Sequence, residues 1–301
     1  MPPRVGCPRT KRDLLTGIPG TSLPGDARLQ VDAFGVYWVS TGDLMMLRSG
    51  AVVAETIASI GSQNYTFDND AFYFAQESAP DIAKIVRMTR DRTETTTLVE
   101  GIDTSFYHTP LVVDGDRLYF QNTDHYLASV PKTGGAAVAT TVYMTARFVV
   151  DESYVYWAYT ASSHPSFYRA AKSGGDAERI LNDSPPAGFA WTLEGDTFFM
   201  FAEFPFGIVS LPKTGGCVRD LIMNIEGTFA VDERAIYWLE STSRSPSTDH
   251  GGLWWAPRTG GVAVQVLEDA TVGSRSGSIV LTPSQVVVLT STGTLLAVDR
   301  P

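Results

Sequence analysis

Residues 148–157 read Phe-Val-Val-Asp-Glu-Ser-Tyr-Val-Tyr-Trp, and the spacing inside that stretch decides the fold. Phe148 and Val150 are apolar with one spacer between them, Asp151 follows, and Tyr156 stands five residues after the acid. Period-two apolar text, an acid that closes a turn, then an aromatic run describes two strands joined by a tight turn. The same text recurs along the chain. It appears as Leu29–Asp32 with Tyr37, Tyr65–Asp68 with Tyr73, and Leu111–Asp114 with Tyr119. It returns as Trp191–Glu194 with Phe199 and Phe229–Asp232 with Tyr237, while Ile279–Thr282 with Val287 is a degenerate seventh copy.

The rest of each repeat supplies two more strands. Pro131-Lys132-Thr133-Gly134-Gly135 returns as Lys172-Ser173-Gly174-Gly175, Pro212-Lys213-Thr214-Gly215-Gly216 and Pro257-Arg258-Thr259-Gly260-Gly261. Gly-Gly between apolar runs marks a hairpin, because glycine reaches positive φ without steric cost. Each repeat therefore holds strands a, b, c and d. Seven such units predict an all-β chain, a seven-bladed β-propeller of four-stranded antiparallel blades. The seventh repeat stops after strand c, Gly293 to Arg300. Arg12-Asp13-Leu14-Leu15 near the N-terminus matches the strand d texts Arg219-Asp220-Leu221-Ile222 and Arg179-Ile180-Leu181. Residues near 11–17 are thus expected to complete blade seven and cover its free edge, making residues 1–301 one propeller domain.

Composition agrees with a soluble all-β chain: 301 residues, 44% hydrophobic, with 27 glycines. A formal charge of −10 without a lysine or arginine cluster argues against nucleic acid and anionic membrane partners. No apolar run reaches the roughly 18–20 residues of a membrane span. Residues 1–7 lack the apolar segment of a signal peptide, although Val5-Gly6-Cys7 is faintly similar to the end of a lipoprotein signal. Cys7 and Cys217 fall on non-adjacent blades, so no disulfide between them is expected. A monomer is expected.

The segments Val150-Asp151 to Val155-Tyr156-Trp157 and Val231-Asp232 to Ile236-Tyr237-Trp238, each followed by a basic-Gly-Gly turn, carry a resemblance. They resemble bacterial β-propellers related to the YWTD repeats of lipoprotein-receptor domains. The resemblance implies a six- or seven-bladed propeller, an extracytoplasmic location and a binding role. After Tyr-Trp that family has Thr-Asp, whose carboxylates tie blades together. Here the pairs are Val39-Ser40, Ala158-Tyr159 and Leu239-Glu240, so that network is not expected.

Copies within the chain also predict where recognition would lie. The a–b and c–d turns repeat, whereas the b–c and d–a connections vary, and variable loops on a rigid scaffold usually carry recognition. His125, His164 and His250 fall in b–c connections and His108 in a d–a connection, with Asp249, Asp124, Asp81 and Glu77 in the same set. Arg28, Asn64 and Arg147 precede strand a, which places them at the mouth of the central opening. Of the neighbours Trp254 and Trp255, one must face away from the other, and Trp254 after the longest loop is a candidate ligand contact. The histidines also fit the plainer reading that polar residues collect in loops. No His-x-His or His-Glu-x-x-His spacing occurs, so no metal or cofactor is expected. The repeated acid reads as a turn cap rather than a calcium ligand, and the strand b aromatics as packing rather than sugar stacking. Two functions follow: a non-catalytic propeller binding a protein, peptide or glycan through the b–c and d–a connections, or a lyase or hydrolase with a histidine–carboxylate site in the central funnel. No catalytic motif supports the second.

Overall fold

The computed structural model describes residues 11–18, 29–79, 82–103, 110–143, 147–159, 166–181, 187–203, 206–225, 227–241, 251–268, 278–290 and 292–301. These residues form strands and turns without a helix, so none is long and apolar enough to cross a membrane. Strand β1 (Lys11–Leu15) comes first. The first sheet is β2 (Gln30–Val31), β3 (Gly35–Ser40), β4 (Asp43–Arg48) and β5 (Glu55–Ser59). The second is β6 (Gly61–Phe67), β7 (Ala71–Ala79), β8 (Ile82–Thr89) and β9 (Thr95–Asp103). The third is β10 (Val112–Asp114), β11 (Arg117–Gln121), β12 (Tyr126–Pro131) and β13 (Val138–Tyr143). The fourth is β14 (Phe148–Val150), β15 (Tyr154–Tyr159), β16 (Ser166–Ala171) and β17 (Glu178–Leu181).

The fifth sheet is β18 (Ala187–Glu194), β19 (Thr197–Glu203), β20 (Phe206–Pro212) and β21 (Arg219–Met223). The sixth is β22 (Phe229–Val231), β23 (Ala235–Ser241), β24 (Gly251–Pro257) and β25 (Val264–Glu268). The seventh runs β26 (Ser278–Leu281), β27 (Gln285–Leu289), β28 (Leu295–Asp299) and then β1. Seven four-stranded antiparallel sheets, the last completed by the N-terminal strand, make the fold class a seven-bladed β-propeller. Lys11 pairs with Val298 and Leu15 with Leu295, as the orphan strands at the two ends of the repeat pattern predict. One compact unit comprises residues 1–57, 188–212 and 218–301, and a second comprises 58–187 and 213–217.

The core lies between neighbouring sheets. In the second unit Leu118 and Phe120 of β11 pack with Tyr73 and Ile85 of the second sheet. Tyr119, between them, packs with Trp157 of the fourth. Successive strand residues point to opposite faces, so a strand covered on both sides is apolar at every position. That is why β3 is buried throughout, from Gly35 to Ser40. The Gly-Gly turns behave as the sequence predicts: Gly134 and Gly135 take φ of 93° and 127°.

Candidate functional site

Each sheet has two unlike ends. At the a–b and c–d end the repeated aspartate caps its turn. Asp151 Oδ1 accepts from the backbone N–H groups of Ser153 and Tyr154, and Asp68 and Asp232 repeat the pattern. Thr282, the degenerate copy, still accepts from Gln285 N–H through its hydroxyl. The fixed acid-to-aromatic gap also has a cause. The tyrosine hydroxyl five residues on donates back to the carboxylate, at 2.9 Å for Tyr156 on Asp151 and 3.2 Å for Tyr73 on Asp68.

A further partner was not expected from sequence. Lys132 donates to Asp68 at 2.7 Å, Lys213 to Asp151 at 3.2 Å, Lys172 pairs with Asp114, and Arg300 with Asp232. Each cation follows strand c of one sheet and each acid closes the a–b turn of the preceding sheet. Carboxylates thus tie neighbouring sheets together from the a–b turn of the repeat. Where Phe199 replaces tyrosine, Arg258 lies over its ring and donates to the Glu194 carbonyl instead. The signal was in the sequence: a basic residue precedes every Gly-Gly turn. Thr282 lacks the acid, and Ser49 of the next repeat lacks the cation.

Electrostatics follow this geometry. Burial raises the Asp151 carboxyl, but the Ser153 and Tyr154 N–H groups, the Tyr156 hydroxyl and Lys213 outweigh it and hold the group below the usual carboxylate value. Asp68 is lowered in the same way, against its own burial, mainly through Lys132. Burial first, then the nearby aspartate, pushes Tyr73 and Tyr156 up to about 12. This end is a locked, repeating structure.

The other end varies. Its b–c connections run from the two residues Thr41 and Gly42 between β3 and β4 to residues 242–250 between β23 and β24. Of the sequence-predicted site residues, Arg28, His108, His164, Asp249 and His250 lie outside the described residues, as does Cys7. His125 lies in the b–c turn of the third sheet at φ 64°, a left-handed conformation. Its Nδ1 is 3.2 Å from Gln121 Nε2, and its ring meets Tyr143 edge-on. Asn64 is not ahead of strand a, as the spacing predicts, but inside β6 and buried. The register of β6 shifts between Gly61 and Tyr65, and the Ser62 hydroxyl donates to Ala75 O, which extends the strand past the repeat's usual start. Arg147 does precede β14 and is half-buried. Trp254 stacks on Trp238 at 6.4 Å and Trp255 joins the cluster on the opposite side, so the two indoles do point apart, each into packing between sheets. Cys217 is free and exposed. Among the described residues no three His, Cys, Asp or Glu side chains gather at metal-binding distance.

One cleft opens in the first unit, with a volume of about 320 Å³. Trp38 and Ser40 of β3 and Asp43 and Met45 of β4 form its floor. These pairs stand opposite each other in register, Trp38 to Met45 and Ser40 to Asp43, so all four face one side of the first sheet. Leu15 and Ile18, in and after β1, form the wall, and Thr41 stands at the b–c turn. Sequence reading missed this cleft because its two sides meet only when β1 joins the seventh sheet.

The chain matches no protein-family model and no curated protein. Solved structures do share its fold. YCF48 bound to D1 peptide aligns over 98% of this chain and 98% of that chain, with a TM-score of 0.66 and 12% identity. Virginiamycin B lyase from Staphylococcus aureus aligns over 97% and 99%, with a TM-score of 0.67 and 10% identity. The tricorn protease aligns over 97% of this chain with a TM-score of 0.66 and 8% identity, but this chain spans only 34% of it. At these identities the likeness shows the fold alone, that of a β-propeller.

Proposed function

We propose that the chain is a binding propeller, recognising a protein, peptide or glycan through its b–c and d–a connections. The contrast between the two ends of the sheets carries this reading. One end repeats a carboxylate–cation lock; the other varies, from two-residue b–c connections at 41–42, 80–81 and 204–205 to residues 242–250. A rigid scaffold with one varied end is built to present loops. The relation to YWTD-type propellers, and the extracytoplasmic location it implies, belong to the same proposal and rest on the Val231-Asp232 to Tyr237-Trp238 text. YCF48 with its bound peptide and virginiamycin B lyase show that this fold serves both binding and catalysis, so fold alone does not choose.

The test is a peptide and glycan array probed with the wild-type chain, then with His164→Ala/His250→Ala and with residues 242–250 replaced by a short glycine–serine link. Binding is expected to weaken at least about tenfold while melting stays within about 2 °C, since surface changes away from packing cost little. Binding that survives these changes but disappears when Lys172 and Lys213 are replaced would reverse the assignment. Turnover of any array hit would favour the lyase or hydrolase reading.

A further inference from the structure

Among the described residues the exposed large aromatics are Phe34, Tyr126 and Tyr143, and the last two stand together. Tyr126 opens β12 and Tyr143 ends β13, opposite each other in register at the b–c end of the third sheet. Tyr126 is 36% exposed and Tyr143 50%. Their ring centroids lie 5.7 Å apart at 78°, and His125 meets Tyr143 at 5.9 Å and 82°. The turn that presents these rings is fixed. Asn122 Oδ1 accepts from the N–H groups of Asp124 and Tyr126, at 3.1 and 2.8 Å, and the Asn122 carbonyl accepts from His125 N–H. Gln121, itself buried, sets its Nε2 against His125 Nδ1 and holds the imidazole in place. The polar ends are open. Neither phenol hydroxyl nor the Asp124 carboxylate meets a hydrogen-bonding or ionic partner among the described residues. No lysine or arginine occurs within 121–126 or 138–143.

From these observations we infer that this turn is a stacking platform for a neutral sugar. Aromatic faces carry partial negative charge, and the C–H face of a pyranose meets them with partial positive charge. The sugar's hydroxyls donate to a carboxylate and both give and take hydrogen bonds with phenols. Other occupants fit less well. Rings in edge-to-face contact leave no gap between them, so they cannot enclose an ammonium, and a cation over one exposed face gains only about 0.5–1 kcal/mol. A proline-rich peptide presents carbonyl acceptors, which the acceptor-only carboxylate of Asp124 cannot serve. A nucleotide or an acidic sugar meets that carboxylate with no cation to offset it. The fixed turn keeps the ordering cost of binding low. The inference rests on the reading of the b–c connections proposed above and narrows the partner of this one to a neutral glycan.

The test titrates the full chain with cellotetraose, mannotetraose and N-acetylchitotetraose, and with triarginine amide and pentaproline as contrasts. The readout is the ring resonances of Tyr126 and Tyr143 in a carbon–proton spectrum, assigned with Tyr126→Phe and Tyr143→Phe. At least one of the sugars is expected to move both rings at millimolar concentration. Tyr143→Ala is expected to weaken that binding at least about tenfold, while Tyr143→Phe, which keeps the ring face, stays within about threefold of wild type. Both variants should melt within about 2 °C of wild type, because the side chain is half exposed. Rings unmoved by all three sugars, rings moved by the arginine or proline probe alone, or equal sugar binding in wild type and Tyr143→Ala would each overturn the inference. The same titration on His164→Ala/His250→Ala keeps the two proposals apart. Ring shifts that persist there support the platform whatever the longer loops recognise. Sugar binding lost there but kept in Tyr143→Ala sustains the longer loops as the recognition site and rejects the platform.

Discussion

In the second and fourth repeats a single aspartate, Asp68 or Asp151, does three jobs, and only the turn cap was expected from the sequence. The cap on the a–b turn follows from residue type and position. The tyrosine bond and the cation from the next sheet do not, because they join atoms five and about sixty residues away whose meeting depends on how sheets pack. Asp151→Asn is expected to lower stability by about 1–2 kcal/mol at neutral pH, read by denaturant unfolding, since it loses charged hydrogen bonds at a mostly buried site. Because Asp151 and Asp68 are held below their ordinary value of 3.8, the stability they contribute is present above that pH and is lost as pH falls through the folded value. Acid titration of stability should therefore be shallower in Asp151→Asn than in wild type; an equal slope would show that the lock does not titrate. For Tyr156, raised to about 12, the sign reverses: the contribution is complete below pH 10 and is lost as pH rises toward 12. Thr41→Asn should raise the melting temperature by a few degrees, because Asn-Gly suits a turn with both central residues at positive φ.

At the level of the strand and turn, sequence reading went furthest, because period-two burial and glycine turns are local. The strand b aromatics pack between sheets as expected, and β1 joins β28. Asn64 escaped because a register shift inside β6 has no mark in the repeat text. Equal turn texts also conceal unequal surroundings. A Cβ at Gly134 would meet nothing within 4 Å, whereas one at Gly215 would sit 2.6 Å from the Ile180 carbonyl oxygen. Both glycines hold positive φ, 93° and 86°. Gly134→Ala should thus cost about 1 kcal/mol, the conformational penalty alone. Gly215→Ala should cost clearly more, about 2–4 kcal/mol, because backbone must also move. Equal melting of the two variants would show that the close approach to Ile180 is easily relieved.

Across the whole molecule, the repeat count and the shared last sheet were readable because a missing strand at one end matched a spare one at the other. The recognition residues were not, because the longest connections carry no repeated text against which to measure them. Deleting residues 1–17 removes β1, uncovers β28 and strips Leu14 and Leu15 from the cluster around Trp38. That truncation should melt well below wild type or aggregate through the bared edge. The register of this last pair has a mechanical consequence. Lys11 sits beside Val298 while Leu15 sits beside Leu295, so the strand ends nearest the two chain termini lie at the same end of the pair. A load pulling those termini apart falls on one rung of the ladder at a time and peels it open. It does not shear all the rungs at once. The clasp that finishes the seventh sheet should therefore yield at low force in a single-molecule pulling experiment, even though heat or denaturant must melt the packed sheets along with it.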